Sequence, residues 1–353
     1  MARVGEPPRL GVVDPRPEHL SGGAPVTKTM REIVEGVHQL EIPMRRNPLG
    51  KTYSYLLRDA GTLIDTGIPT KAGLDALEAQ LSTLGLGISD IDKIIVTHMH
   101  TDHVGLIDRI QEKTAVTVLA LEEAINVQRQ WDETRKTAFE DTRDEIAAWG
   151  GSDFLKLFSQ YEHVFRRPRW KLEIDETIAD LERLRLGSLN LEALWTPGHA
   201  REHLCLHNAE NEILFSGDHV LPKITSHISH HTYHEGDPLG DYLESLDRVR
   251  DLPVKIVLPG HERIFHDLAG RVSDLEDHHE RRCGEIIAAL KGGAKTVFDV
   301  SSVVSWDSQP WEKMAFWTKR MAAAETYAHL TYLRNRERVA EKRLDGILEF
   351  EAA

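Results

Sequence analysis

The 353-residue sequence has little cysteine, no long apolar run and no excess of positive charge. Its two cysteines, Cys205 and Cys283, are too few for a disulfide framework or a four-thiolate zinc site. No segment approaches the roughly 18 consecutive apolar residues of a transmembrane helix, which excludes a membrane protein. Lys and Arg number 43 and Asp and Glu 57, giving a net charge of −14. That charge disfavours a nucleic-acid partner, because a phosphate backbone would be repelled.

The chain divides into segments of different character. Residues 1–30 hold five prolines and no apolar stretch, which predicts an extended N-terminal arm without a secretory signal and therefore a cytoplasmic protein. Strand and helix patterns are intermixed over 31–266, as in a layered α/β domain, with an aromatic-rich helical insertion at 121–165. Over 267–353, three helix patterns and a hairpin signal at Leu344-Asp345-Gly346 follow in the order of a winged helix.

One short segment concentrates side chains that bind metals. It begins directly after the β-branched run Ile91–Val96 and holds four potential ligands in six positions: His98, His100, Asp102 and His103. Imidazole and carboxylate groups are ligands that zinc, iron and manganese accept. On a loop after a buried strand, the first two side chains can face one ion while the last two face a second. A purely structural role for all four is therefore disfavoured.

Three later positions complete two sets of ligands. Each follows a glycine in a turn after a predicted strand: His199 in Thr196-Pro197-Gly198-His199, Asp218 in Ser216-Gly217-Asp218 and His261 in Leu258-Pro259-Gly260-His261. Such turns are common, and any one of them alone would be weak evidence. The segment His98–His103 has the pattern HxHxDH, and the order of the three later positions behind it is what indicates a metal centre.

With these motifs the sequence resembles the metallo-β-lactamase superfamily, in particular its glyoxalase II-like hydrolases. The HxHxDH segment, the Thr-Pro-Gly-His turn, the Gly-Asp after a strand, the late Pro-Gly-His and Asp65 in Leu63-Ile64-Asp65-Thr66-Gly67 carry the resemblance. It implies a four-layer αββα catalytic domain over 31–266. The part after 267 looks like the winged-helix domain of lactamase-beta-like hydrolases and endoribonucleases.

The resemblance also implies two divalent ions per chain, with zinc expected and manganese or iron as the alternatives. Every potential ligand then has a place: His98, His100 and His199 on the first ion, Asp102, His103 and His261 on the second, and Asp218 bridging both. Asp102 would in addition be catalytic, orienting the metal-bridging hydroxide that attacks the substrate. Asp65 would accept a hydrogen bond from a ligand imidazole or, as the alternative, only stabilise its own turn.

Departures from the family pattern narrow the function. Antibiotic-hydrolysing members usually carry Cys at the position of Asp218, and flavo-diiron proteins carry Glu at that of His100. Neither of those activities is therefore expected. Glu202 stands where the family often has a small residue, which bears on how the loop after His199 packs.

Three classes of function remain. The first is hydrolysis of a small ester or thioester, as in glyoxalase II-like relatives. The alternative is an endoribonuclease or phosphodiesterase of the lactamase-beta-like type, and a mononuclear iron persulfide dioxygenase is more distant. Residues 268–353 carry 13 Lys and Arg against 14 Asp and Glu, whereas a nucleic-acid-binding wing should be basic. We therefore expect a hydrolase of a small molecule, whose tail closes the pocket or pairs subunits in a homodimer.

Two further segments are expected near the metals. Residues 223–234 follow the bridging aspartate and should hang over the site, as a polar pocket-lining loop or as an extra metal site formed by His227, His230, His231 and His234. Tyr233 in the same segment could donate a hydrogen bond to a substrate oxyanion. The aromatic insertion at 121–165 either caps a hydrophobic acyl pocket or serves ordinary core packing.

Overall fold

Two β-sheets stacked face to face organise the chain in the computed structural model. The structure describes residues 30–45, 47–165, 171–232, 236–293, 295–307 and 309–353. The predicted N-terminal arm lies outside these ranges except for Met30, and so do Tyr233 and His234.

Within these ranges, the first sheet contains seven strands that neighbour one another in chain order: β1 (Arg31–Val34), β2 (Val37–Pro43), β3 (Lys51–Leu57), β4 (Thr62–Ile64), β5 (Lys93–Val96), β6 (Thr117–Leu121) and β7 (Glu176–Ile178). Strands β1 to β4 run antiparallel, and β4 to β7 run parallel.

The second sheet contains five strands among the same residues: β8 (Arg183–Leu186), β9 (Leu189–Trp195), β10 (Leu204–Asn208), β11 (Ile213–Gly217) and β12 (Ile256–Pro259). Their spatial order is β12-β11-β10-β9-β8, and of these pairs β11 and β12 are the parallel one. A small antiparallel sheet near the C terminus is made of β13 (Lys295–Thr296), β14 (Val339–Leu344) and β15 (Ile347–Ala352), with β15 in the middle.

Eleven α-helices lie in the described part of the chain: α1 (Lys71–Thr83), α2 (Thr101–Val104), α3 (Ile107–Gln111), α4 (Glu123–Thr134), α5 (Ala138–Ala148), α6 (Leu155–Phe158), α7 (Glu162–Phe165), α8 (Pro238–Arg250), α9 (Leu268–Leu290), α10 (Val297–Val303) and α11 (Phe316–Asn335). Thr70 caps α1, its hydroxyl accepting a hydrogen bond from the Gly73 N–H. None of the described helices is long and apolar enough to cross a membrane.

Alternation along the strands divides the apolar side chains between layers. In β3, Tyr55 lies in the cluster between the two sheets, whereas its neighbour Leu56 lies in the outer cluster with α1. In β11, Phe215 likewise faces the other sheet, and Leu214 faces the outer helices. Helices α1 and α4 cover the first sheet, while α8, α9 and α11 cover the second. The predicted four-layer αββα arrangement is therefore confirmed.

Two strands of the first sheet escape prediction from the sequence. Strand β6 is a five-residue apolar run that could equally begin a helix, and β7 has only three residues, two of them exposed. The two strands pair in parallel, with Leu121 opposite Ile178. The predicted start of the helical insertion at residue 121 is therefore wrong, because Leu121 ends a strand and α4 begins at Glu123.

The aromatic insertion packs against the C-terminal helices. The ring of Phe158 is fully buried, and its centroid lies 4.9 Å from that of Phe139 and 6.1 Å from that of Trp317. The surrounding rings form one cluster, which we call the aromatic seam: Phe139, Trp149, Phe154, Phe158, Tyr161, Phe298, Phe316 and Trp317. Trp131 packs separately, against the outer cluster of the first sheet. Of the two predicted roles of the insertion, core packing is the one that the structure supports.

The C-terminal elements share a hydrophobic core with the second sheet. Leu275 of α9 belongs to the same buried cluster as Leu214 of β11 and Val257 of β12. Helix α9 has a distinct start, since the Asp267 carboxylate accepts a hydrogen bond from the Gly270 N–H. From α9 onwards, three helices (α9, α10 and α11) and the hairpin of β14 and β15 come in the predicted order. Because the core is shared, a separate winged-helix domain at 267–353 stays a prediction, as does pairing of subunits through it.

We expect Phe158→Ala to lower the free energy of unfolding by about 3–5 kcal/mol, because the substitution leaves a cavity in the aromatic seam. Ile125→Ala lies in the same insertion but at a residue that is 49 % exposed, and it should lower that free energy by less than about 1 kcal/mol. Urea denaturation followed by circular dichroism measures both variants. Small and equal effects, together with a raised KM in F158A, would instead assign this ring to a substrate pocket.

Candidate metal centre

The predicted ligands follow strand ends at one edge of the sandwich. His98 lies two residues after β5, Asp218 directly after β11, and His261 two residues after β12. Because β11 and β12 run parallel, their carboxyl ends meet at the same edge. Strand β9, which precedes His199, and strand β11 both run antiparallel to β10, so these two strands point the same way. The strand directions thus gather residues that are far apart in the sequence.

Seven side chains meet in three overlapping groups of potential ligand atoms. Within each group, all ligand atoms lie within 4.8 Å of one another. The groups are His98, His100 and His199; His98, His103 and Asp218; and Asp102, His103 and His261. All seven predicted ligands are therefore in one place, and their role as ligands stays a prediction.

In the first group, three imidazole nitrogens approach one another. His98 Nε2 lies 2.9 Å from His100 Nδ1, and His199 Nε2 lies 3.1 Å from the same atom. Burial, reinforced by neighbouring imidazoles, lowers the pKa of His98 well below its usual value and the pKa of His199 to about 3. Both rings are therefore neutral at pH 7, which is the state in which imidazole binds a metal.

The third group combines imidazole with carboxylate. His261 Nε2 lies 3.4 Å from Asp102 Oδ2 and 3.3 Å from Asp218 Oδ2. Burial opposes ionisation of Asp102, but the hydrogen bond with His261 and the positive charges of His103 and His261 together outweigh it and lower the pKa of Asp102 to about 2. Burial is likewise outweighed at His261, where Asp218 and Asp102 raise the pKa to about 10. The carboxylates here therefore stabilise positive charge, which a proton or a metal cation can supply.

Asp218 lies between the two ends of the cluster. Its Oδ2 is 3.8 Å from His199 Nε2, and its Oδ1 faces His103 Nε2 at 3.5 Å. Among the described residues, Asp218 Oδ1 and His103 Nε2 are buried without a hydrogen-bond partner. A buried polar atom left unsatisfied costs about 1–3 kcal/mol, and a divalent cation between these atoms would remove that cost. The donor set therefore fits metal ions.

Asp65 contacts a predicted ligand and the residue that precedes the segment His98–His103. Its Oδ2 lies 2.7 Å from His103 Nδ1, and its carboxylate accepts hydrogen bonds from the N–H and the hydroxyl of Thr97. Its φ of +58° is a left-handed conformation that this network must maintain. These partners lie 32 and 38 positions away in the sequence, so of the two alternatives the contacts favour a hydrogen bond with a ligand imidazole over stabilisation of the residue's own turn.

Backbone carbonyls orient two more imidazoles. His199 Nδ1 donates to the His227 carbonyl at 3.0 Å, and His261 Nδ1 donates to the Lys51 carbonyl at 3.0 Å. In both rings the Nδ1–H is used on the outer side, so Nε2 is the nitrogen that faces the centre.

The glycines that precede His199 and His261 lie where a larger residue would collide with neighbouring groups. A Cβ on Gly260 would lie 2.5 Å from Asp218 Oδ1 and 2.7 Å from His103 Cε1. Gly198 has a φ of +126°, and a Cβ there would lie 2.4 Å from the Cβ of Tyr242. The glycine before each of the last two predicted histidine ligands is therefore a steric requirement.

Glu202 supports the HxHxDH loop, a role that its place in the sequence does not reveal. The residue is 5 % exposed, and its Oε1 accepts a hydrogen bond at 3.0 Å from the N–H of Met99, between His98 and His100. Burial raises the pKa of its carboxyl group. The one signal in the sequence is a charged residue where the family often has a small one.

The histidine-rich loop is held by acidic residues of two helices. His227 Nδ1 lies 2.9 Å from Glu325 Oε2 of α11, and His230 Nε2 lies 2.9 Å from Glu145 Oε1 of α5. Within the ranges that the structure describes, no histidine of this loop belongs to a candidate ligand group. The pocket-lining role is therefore favoured over an extra metal site, and the predicted Tyr233 contact falls outside those ranges.

A small groove lies beside His199. Its polar walls come from the loops that flank the centre and from α8: Arg201, Ser229, His231 and Asp241. Gly198, Ala200 and Pro238 complete the lining, so both polar and apolar groups border the groove.

Comparison with known proteins points to one superfamily. The sequence model of the metallo-beta-lactamase superfamily matches residues 47–261. The chain is 28 % identical over 307 residues to the probable metallo-hydrolase YqjP of Bacillus subtilis, covering 82 % of this chain and 90 % of that protein. The crystal structure of the metallo-beta-lactamase family protein TTHA1429 from Thermus thermophilus matches with a TM-score of 0.77 and 29 % identity, covering 91 % of this chain and 100 % of that one.

A shorter similarity concerns a protein with a named substrate. The chain is 28 % identical over 116 residues to the atrochrysone carboxyl ACP thioesterase of Aspergillus fumigatus. The match covers 33 % of this chain and 34 % of that protein.

We expect the wild-type protein to hold two metal ions per chain, and His98→Ala and Asp218→Ala to hold fewer, because each removes a member of a candidate ligand group. His266→Ala is the matched control, since this exposed imidazole bonds only the Lys255 carbonyl among the described residues. Elemental analysis after dialysis against metal-buffered solution gives the counts. Full occupancy in both ligand variants would contradict the assignment.

Proposed function

This chain belongs to the metallo-beta-lactamase superfamily, and from that premise we propose that it is a dinuclear metal-dependent hydrolase of a small ester or thioester. The observation that carries the proposal is the convergence of seven imidazole and carboxylate groups at one buried place, where polar atoms lack other partners. The likeness to a protein named as a probable metallo-hydrolase, over 82 % of this chain, supports hydrolysis.

The residues of the centre divide into two proposed ligand sets that share one carboxylate. His98, His100 and His199 would hold one ion, Asp102, His103 and His261 the other, and Asp218 would contact both. Two divalent cations supply a water acidic enough to be deprotonated near neutral pH and a positive charge for the substrate oxygen. The outer contacts of Asp65 and of the two backbone carbonyls keep the imidazoles in the orientation that this requires.

Asp102 is the proposed catalytic carboxylate. Its side chain is 23 % exposed, whereas its partner His261 is buried at 2 %, so the carboxylate lies on the open side of the centre. A pKa near 2, held there by His261 against burial, keeps it ionised at pH 7. It can therefore orient the attacking water and accept its proton.

Charge favours a small substrate over a polyanion. The chain carries a net charge of −14, and residues 268–353 carry 13 basic against 14 acidic side chains. A nucleic acid would have to approach against this field. The similarity to a protein named as an ACP thioesterase supports a thioester as the substrate.

With zinc-loaded protein, we expect hydrolysis of acyl thioesters or esters and little cleavage of bis-nitrophenyl phosphate or single-stranded RNA. Asp102→Asn keeps the shape of the side chain but cannot accept a proton, so kcat should fall by about 10²–10⁴-fold. Asp108→Asn, an exposed carboxyl group on the nearby helix α3, is the control and should retain activity. Thiol release and phenolate absorbance measure the rates.

Two outcomes of the same experiment would replace the proposal. Efficient cleavage of the phosphodiester or of RNA without thioester hydrolysis would establish the endoribonuclease alternative. Activity that requires a single iron ion per chain and consumes oxygen in the presence of a persulfide would establish the dioxygenase alternative.

A further inference from the structure

A chain of hydrogen bonds connects helix α11 with the candidate metal centre. Glu325 Oε2 lies 2.9 Å from His227 Nδ1, and the His227 carbonyl accepts a hydrogen bond from His199 Nδ1 at 3.0 Å. On the opposite side of the same ring, His199 Nε2 lies 3.1 Å from His100 Nδ1. A residue near the C terminus is thus two hydrogen-bonded steps away from a predicted ligand.

The loop that carries His227 has no sheet or helix of its own to fix that carbonyl. Residues 224–230 form neither a helix nor a strand, so no regular backbone ladder holds their carbonyl groups in place. Helix α11, by contrast, is 20 residues long and packs its buried face into the core shared with the second sheet. A side-chain bond from the helix can therefore give the loop a position that its own backbone does not provide.

A second contact pins the same loop to the same helix. The His230 N–H donates to the Ala324 carbonyl at 3.3 Å, and the His230 ring lies 4.9 Å from that of Tyr327. The Nε2 atom of the same imidazole lies 2.9 Å from Glu145 Oε1 of α5. The His230 contacts fix the loop three residues after His227. The Glu325 contact fixes His227 itself, whose carbonyl reaches the centre.

We infer that Glu325 is a positioning residue for the predicted metal ligand His199 and acts on it through His227. The inference rests on the proposed function, because it concerns binding of the first of two metal ions. The second ion provides an internal comparison, since the outer nitrogen of His261 is held by the Lys51 carbonyl of β3 and not by this loop. Loss of Glu325 should therefore weaken one metal site selectively.

Metal binding by the full-length chain tests the inference. Metal-free protein is titrated with zinc in competition with a chromophoric chelator, and cobalt substitution gives a visible spectrum of the first site. We expect Glu325→Ala to weaken one of the two binding events by about 10–100-fold and to leave the other within about twofold. Glu325→Gln retains an oxygen that can accept from His227, so it should recover most of the lost affinity.

Variants of His227 provide the coupling test. His227→Ala leaves the backbone carbonyl but removes the bond to Glu325, so it should weaken the same site. The double variant should be no weaker than either single variant, because both interrupt one chain of contacts. Glu280→Gln is the matched control in the C-terminal region, since this carboxylate is 63 % exposed and pairs with Arg338 at the surface, and it should bind zinc like the wild type.

The possible results separate this inference from the proposed function. Additive losses in the double variant, or equal weakening of both sites, would overturn the inference, because the residues would then act independently or only through general stability. If Glu325→Ala binds two ions as tightly as the wild type does, the inference about Glu325 is wrong but the proposed function is not affected. Wild-type protein that binds no metal would overturn the proposed function as well. If Glu325→Ala does not fold, Glu325→Gln and His227→Ala provide the same comparison.

Discussion

The fold forces seven ligand groups into contact, and this arrangement is favourable only when positive charge enters it. His100 Nδ1 offers either one proton or one lone pair when its ring is neutral, so it can form a strong hydrogen bond with only one of the two imidazole nitrogens that lie 2.9 and 3.1 Å from it. A buried carboxylate oxygen without a partner adds a desolvation cost. The surrounding structure therefore has to hold the groups inward at the expense of stability, and it does so through bonds on the outer side of the rings of His103, His199 and His261.

Those outer bonds come from different layers of the molecule. Asp65 at the end of β4 holds His103, the Lys51 carbonyl of β3 holds His261, and the loop before α8 holds His199. The first two supports belong to the first sheet, whose backbone ladder makes them rigid. The third lies in an irregular loop and depends on α11. One half of the centre is thus supported by the first sheet and the other by an irregular loop. The same sheets occur in proteins of many functions, so differences between such proteins are expected in the loops.

The convergence of the seven predicted ligands and the layers of the fold could be predicted from the sequence because their signals are local. Four of the seven ligands lie within six positions, and strands such as β3 alternate clearly between two apolar clusters. Strand β7 was missed, since three residues carry no periodicity that a window could detect. Contacts across the fold leave little or no local signal: Glu202 bonds Met99 across 103 positions, and Glu325 bonds His227 across 98. Glu202 differs from the family pattern, but its partner cannot be read from that difference, and nothing near Glu325 in the sequence distinguishes it from a solvent-exposed carboxylate.

The shared core gives the C-terminal region a thermodynamic link to the centre. Helix α11 packs into the buried cluster on the outer face of the second sheet, which includes Leu214 of β11. The same helix bonds His227 through Glu325. Any ion that binds only when His199 is oriented must therefore bind more tightly to molecules in which α11 is packed. Reciprocity then requires that the bound ion stabilises the packing of α11 by the same free energy. The inference about Glu325 therefore implies that the region after residue 267 contributes to metal affinity through its packing, although none of the candidate ligands among the described residues lies within it.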